Sequence, residues 1–400
     1  MRRDISTAIT IILSGILLIA CGGGGGSSST SATSGDNGDV AFEQSFGGTG
    51  DESGIAALQT SDGGYILLGN TNSSGNRKTD IYLVKTDSAG QKQWEKTFGG
   101  TEDDYGSAIA IAPDNGFIIV GKTESMGSGF SDIYLIKTDS AGNEVWSKTF
   151  GGAGYDYASS VQTTSDGGYV LVGTVDEGFL SWEDLINLIK VDEDGNTVWS
   201  KTYGDLTWSG DKGVSVLEAG DGGYVVYGEG KGAGLTDYLL FKTDVDGVMV
   251  WENKYGGSDW EYATSFNMTT DGGFILLGQS NRESTLYLVK TDSTGAELWS
   301  KTYMYGENDI NRGYAVQQTS DGGFVLFGET IKFDYNQTSG PNNMYLVKTD
   351  DQGNKSWEKT FDGDSEAIGK SIIESDDGEY VLFGTTISSS GDSNMYLLKI

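Results

Sequence analysis

The sequence predicts an all-β chain, a seven-bladed β-propeller with four-stranded blades whose ring is closed by its own N-terminal strand. Three observations lead there. Six tryptophans, Trp94, Trp146, Trp199, Trp251, Trp299 and Trp357, recur at steps of 52, 53, 52, 48 and 58 residues. Such a period marks a repeat architecture, in which each unit buries its faces only by stacking on neighbours. A glycine closing the second strand of a unit occurs seven times, at Gly69, Gly121, Gly173, Gly228, Gly278, Gly328 and Gly384. So does a lysine ending the third strand, at Lys85, Lys137, Lys190, Lys242, Lys290, Lys348 and Lys399. Finally, the two ends are out of phase. The chain stops at Ile400, just after a third strand, whereas residues 41–48 match 94–100 with Phe42 at the tryptophan position. A ring closed by that first strand explains the offset, and it leaves no long sheet edge between the ends. A linear four-strand solenoid, the alternative, gives no reason for it.

Taken in order, the chain first reads as an address. Arg2 and Arg3 precede an apolar run, residues 9–20, that is too short and asymmetric for a spanning helix and reads as a signal peptide over 1–20. Leu18-Ile19-Ala20-Cys21 resembles the bacterial lipobox, which implies lipidation of Cys21. Cys21 is the only cysteine, so no intrachain disulfide forms. Residues 21–39 are Gly- and Ser-rich and cannot build a core. They read as a flexible tether with a span of roughly 20–25 Å. Gly22 resembles the residue after the cysteine in outer-membrane-directed lipoproteins. The expected location is therefore the bacterial cell envelope, at the outer membrane. The propeller occupies 40–400.

Unit one is the template for the blades. Residues 54–60, 64–69, 81–85 and 94–98 read as strands a to d, short β-branched and aromatic runs bounded by Gly, Asp and Ser. Their near-continuous apolarity predicts burial on both faces. Asp-Gly pairs, as in 61–64, supply the positive φ that the a–b hairpins need. The c–d turns also end in glycine, as in 86–90. Two of them, 192–196 and 244–247, look like truncated calcium loops but lack a third ligand and read as hairpin turns. The strand-end lysines are expected to pair with turn carboxylates or to lie over tryptophan rings.

Composition narrows the chemistry. The 400 residues include 58 acidic, 26 basic and no histidine side chains, for a net charge of −32. Without histidine, Ser-His-Asp and Cys-His sites, His-ligated zinc and imidazole acid–base catalysis are excluded. The charge repels phosphate backbones and anionic headgroups, so nucleic acid is not an expected partner and the membrane is reached through the lipid alone.

The phrase T-D-x-x-G-x-x-x-W resembles the tryptophan-docking motif of PQQ-repeat (quinoprotein-like) propellers, in which each outer-strand Trp packs on the next blade. The D-G-G-Y and W-x-K-T-F-G-G units are similar to those of secreted and cell-surface bacterial and archaeal propellers. This resemblance covers 41–400. It implies the fold, while the calcium and cofactor constellation of the quinoprotein dehydrogenases has no counterpart here. Anchor and blades also resemble the accessory lipoprotein of the outer-membrane-protein assembly machine, which typically has eight blades.

The b–c loops and d–a links vary between units, so the face they share is the expected working face. On it stand aromatic residues outside the repeat: Tyr155, Phe179, Trp182, Trp208 and Trp260. They read either as a stacking platform over blades three to five, for sugar or for a partner's side chains, or as rings that pin their own loops. A carboxylate precedes strand a at Glu52, Asp104, Asp156, Asp211 and Glu261, a series broken by Asn311 and Ala367. These groups suit a cation such as Ca2+, a general acid–base pair, or the capping of turns. Repetition in five blades favours capping, because a site needs only one or two copies.

The resulting expectation is a non-enzymatic, lipid-anchored propeller, monomeric in its folded body, that presents a binding face to protein or glycan. The alternatives are a carboxylate-based glycan-active enzyme or quinoprotein-like oxidoreductase, and a structural subunit of an envelope assembly complex.

Overall fold

A computed structural model of the chain describes residues 40–73, 78–176, 184–204, 210–232, 235–280, 284–306, 309–333, 339–362, 366–375 and 378–400. The expected signal segment, Cys21 and the tether lie outside them. From Val40 on, the described residues belong to one compact unit.

Seven antiparallel four-stranded sheets make up this unit. In blade 1, strand a is Glu52–Gln59, b is Tyr65–Thr71, c is Asp80–Thr86 and d is Lys92–Phe98, bonded in that order. Blades 2 to 6 repeat the plan over 104–150, 157–203, 212–255, 261–303 and 310–361. Blade 7 takes strands a to c from Glu366–Glu374, Tyr380–Ile387 and Ser393–Lys399, and its outermost strand from Phe42–Phe46. The register pairs Phe42 with Lys399 and Phe46 with Met395. Elsewhere the tryptophan faces the strand-c lysine in the same way, as Trp94 faces Lys85, so Phe42 does occupy the tryptophan position. The a strands touch in sequence around the axis, and strand a of blade 1 packs against blade 7. The ring is closed.

Strands b and c of blade 1 are buried along nearly their whole length, as their apolarity predicts. Strand a, however, is only partly buried, and the outer strand d alternates exposed and half-buried residues, because no further strand covers it. The core lies between blades rather than within them. Each of the seven junctions holds one apolar cluster, including the junction of blades 7 and 1, where Phe46 and Phe383 meet Tyr65 and Leu67. Burial of such surface contributes about 25 cal/mol per Å², so blades stabilise one another and none is expected to fold alone.

Three repeated devices hold the junctions. Each outer-strand ring lies edge-on or tilted to the first aromatic of the next blade's strand b: Trp94 to Phe117 at 6.2 Å, Trp146 to Tyr169 at 6.1 Å, and Phe42 to Tyr65 at 6.2 Å. The same ring covers the next c–d turn. Gly195, at φ +76°, lies so close that an added Cβ would stand 2.7 Å from the Trp146 ring. The strand-c lysine returns to the a–b turn of its own blade, as Lys85 does to Asp62 at 2.9 Å. Asp62 also accepts bonds from Thr60 Oγ1 and Gly64 N, so one carboxylate closes the hairpin and neutralises a buried ammonium. Six blades share this ion pair, and in blade 7 Lys399 meets Glu379 at 3.0 Å.

A β-bulge interrupts the a–b ladder of every blade just after the strand-a Gly or Ala, as between Gly54 and Ala56. The extra residue bends the innermost strand and re-aims one side chain.

Candidate functional site

The carboxylates that precede strand a are buried and used locally. Glu52 accepts Gly48 N at 2.9 Å and Thr71 Oγ1 at 2.6 Å. Asp104 accepts Gly100 N and Ser125 Oγ, both at 2.7 Å; its Oδ1 is buried without a hydrogen-bond partner. Asp156 accepts Gly152 N at 2.6 Å and Asp176 N at 3.1 Å. Glu261 accepts Gly257 N at 3.3 Å, and Asp211 is buried like the others. Asn311, which breaks the series, still accepts Tyr305 N at 3.2 Å. All but Asp211 therefore have a described bond that fastens the link from strand d to strand a, by accepting backbone N–H groups. Among the described residues no three acidic or thiol side chains are grouped to hold a metal.

What the sequence did not show is that several of these groups have a second carboxylate beside them, from the start of the preceding strand c. A Cβ on Gly151 would stand 2.5 Å from both Asp132 Oδ1 and Asp156 Oδ2. Those oxygens are thus no more than about 5 Å apart, close enough for one carboxylate charge to act on the other. Burial raises the Asp132 pKa. Burial also raises that of Asp156, with a smaller push from the Asp132 charge. Asp80 with Asp104, and Asp237 with Glu261, flank Gly99 and Gly256 in the same way.

Of the aromatic candidates, Phe179, Trp182 and Trp208 lie outside the described residues. Tyr155 is 56% exposed and stacks on Phe130, with centroids 4.8 Å apart and planes 12° apart. Trp260 stands edge-on to Tyr262 at 6.1 Å. Phe130 escaped the sequence reading because nothing in the b–c loop of blade 2 marks it. The parallel bridge between Ser131 and Tyr155 sets this loop against the next link, where the Phe130 and Tyr155 rings stack.

One cleft opens beside that link, between blades 2 and 3, with a volume of about 380 Å³. One wall of it lies where blade 3 departs from the repeat. Five blades place a tyrosine in strand c, at Tyr82, Tyr134, Tyr287, Tyr345 and Tyr396, facing the aromatic that ends the previous blade's strand d. Blade 3 has Asn187 there and blade 4 has Leu239. The missing ring leaves Phe150 half-buried, whereas Phe98 and Phe361, which face tyrosines, are 7% and 6% exposed. Val175 and Ile189 line the cleft together with Asp156, Asp176, Asn187 and Thr202. Asn187 Oδ1 accepts Ser200 Oγ at 3.0 Å, so its amide N–H groups remain for a guest. A mixed apolar and hydrogen-bonding cleft beside an exposed aromatic pair suits a small polar ligand with an apolar face.

No family profile matches the sequence. Over 167 residues the chain is 28% identical to regulatory protein FlaEY of Caulobacter vibrioides, covering 35% of this chain and 17% of that protein. It thus spans under a fifth of that relative's length. Among solved structures it is similar to a protein of unknown function from Dyadobacter fermentans, with a TM-score of 0.52 at 8% identity, covering 90% of this chain and 98% of that one. Extracellular domains 1–2 of Drosophila Semaphorin 1b align with a TM-score of 0.49 at 9% identity, over 90% of this chain and 86% of that one. At such identities the likeness concerns the fold alone.

Proposed function

We propose that this chain is a non-enzymatic, lipid-anchored propeller of the bacterial cell envelope that binds glycan in the cleft between blades 2 and 3. The cleft carries the reading: Asn187 replaces the ring that fills this position in five other blades, next to the stacked pair Phe130 and Tyr155. Sugars have apolar ring faces and polar edges, and stacking aromatics with amide and carboxylate partners satisfy both. The lipobox-like Leu18–Cys21 supports the anchor and Gly22 an outer-membrane address. Palmitate labelling that persists in a Cys21→Ser variant would remove the anchor from this reading.

The decisive experiment is a glycan array, followed by calorimetry on any hit. Asn187→Tyr restores the repeat's own residue, so it should fill the cleft without unfolding the blade and abolish binding. Tyr155→Ala should weaken binding by about tenfold, the scale of one lost stacking contact. Binding unchanged in both variants refutes the cleft. A second reading, a glycan-active enzyme, is favoured only by the Asp132–Asp156 pair at its rim. In that case a bound glycan is cleaved, and Asp156→Asn abolishes cleavage while keeping affinity.

A further inference from the structure

We propose a second, separate site: the junction of blades 6 and 7 near the axis binds the carboxylate group of a small ligand through Arg312 and Lys370. The innermost strands there are Ile310–Gln318 and Glu366–Glu374. Their bulge residues are Tyr314 and Lys370, each the extra residue at the break in its ladder. Bulges re-aim side chains, and here two adjacent ones bring an ammonium onto a phenol ring. Lys370 Nζ lies 3.4 Å from the Tyr314 ring centroid.

The surrounding charge does not balance. Glu329, at 1% exposure, is the carboxylate of the cluster. Its Oε1 accepts Arg312 Nη1 at 3.0 Å and Tyr314 Oη at 2.9 Å, and its Oε2 accepts Asn342 Nδ2 at 3.1 Å. Glu329 is therefore committed, and Lys370 has no carboxylate within ion-pair distance among the described residues. Burial pushes the Lys370 ammonium below its usual pKa; the nearby Glu329 charge opposes this and the Arg312 charge adds to it. Two cations thus share one anion, in a chain whose net charge is −32. The blade 4–5 junction shows the balanced case, where Lys212 stands 3.8 Å from Glu229 and, among the described residues, no second cation joins them.

Nothing in the repeat requires this arrangement. The positions equivalent to Tyr314 in blades 1 to 5 are Ile55, Ser107, Ser159, Val214 and Thr264. The free donors are the three N–H of Lys370 and those of Arg312 not spent on Glu329. A monoanion neutralises the surplus positive charge. A dianionic phosphate would leave a net negative charge beside Glu329, so the geometry points to carboxylate.

The test is titration of the whole protein with glucuronate, using glucose and inorganic phosphate as comparison arms. Saturable glucuronate binding is expected, with none for glucose and weaker binding for phosphate. Lys370→Gln and Arg312→Gln should each weaken it about tenfold, as loss of a charge-assisted bond does, whereas Lys370→Arg should retain it. A label that does not depend on a variant folding is the NMR signal of the dimethylated Lys370 amine, whose pKa should rise when glucuronate is added. No saturable binding, tighter binding of phosphate, equal affinity in Lys370→Gln, or an unmoved amine pKa would each overturn the proposal.

Discussion

Gly195 and Trp146 show how little freedom a repeat residue has. The glycine adopts φ +76° in the c–d turn of blade 3 and lies under the ring that blade 2 extends. An alanine there would be strained in the left-handed region and would strike the indole, at a cost of about 2 kcal/mol. Trp146→Ala removes the ring but not the turn, at about 3 kcal/mol. Because both changes remove one contact, they should be less than additive. Urea unfolding of the two single variants and the double variant measures this; fully additive losses would mean that the ring and the turn act independently. The tryptophans, the strand-c lysines and the turn glycines were legible in the sequence because repetition exposes them. Asn187 was equally visible as a letter, yet its meaning depends on knowing that strand c turns that side chain toward the previous blade's Phe150. Asp132 and Lys370 were illegible for a related reason: their partners come from other strands, 24 residues away for Asp156 and 56 for Tyr314.

At the scale of elements, Phe42–Phe46 is the informative strand. Without it, Ser393–Lys399 becomes an open edge, and the Phe42 ring leaves Tyr65. An unpaired apolar edge recruits another chain. Deleting residues 40–46 is therefore expected to lower the melting temperature and to yield dimers or aggregates, read by light scattering after size exclusion. A monomer of unchanged stability would mean that closure does not depend on this strand. Its place was predictable from the phase of the repeats alone. Element ends were less so: strand a of blade 1 begins at Glu52 rather than Gly54, because ladder pairing continues past the apolar run to Thr71. The seven bulge residues share no residue type, so they could not be read in advance.

For the molecule as a whole, two sets of carboxylates oppose each other. Asp62, Asp166, Asp271 and Asp321 are held to about 2. In Asp62 the Thr60 hydroxyl contributes most, followed by Lys85 against the push of burial; in Asp166 burial acts upward and is overcome by Thr164 and Lys190. A depressed folded pKa gives stability that is present above the unfolded value of about 4 and lost as pH falls toward about 2. Asp80, Asp132, Asp156, Asp184 and Glu261 are raised, chiefly by burial. Their contribution has the opposite sign: stability declines as pH rises through their folded values and they become charged. Stability should therefore be greatest in mildly acidic solution, above the range in which Asp62 and its equivalents protonate and before the buried carboxylates ionise, and fall on either side. Urea midpoints across pH would show this, with the acid limb shallower in Asp62→Asn; a monotonic rise to neutral pH would contradict it. The closing strand has one more consequence. Tension transmitted along the backbone from before Val40 reaches Phe42–Phe46 first, the segment that zips the two ends of the ring together. A pull on that side loads the pairing of Phe42–Phe46 with Ser393–Lys399 first, so blade 7 is where tension enters the ring.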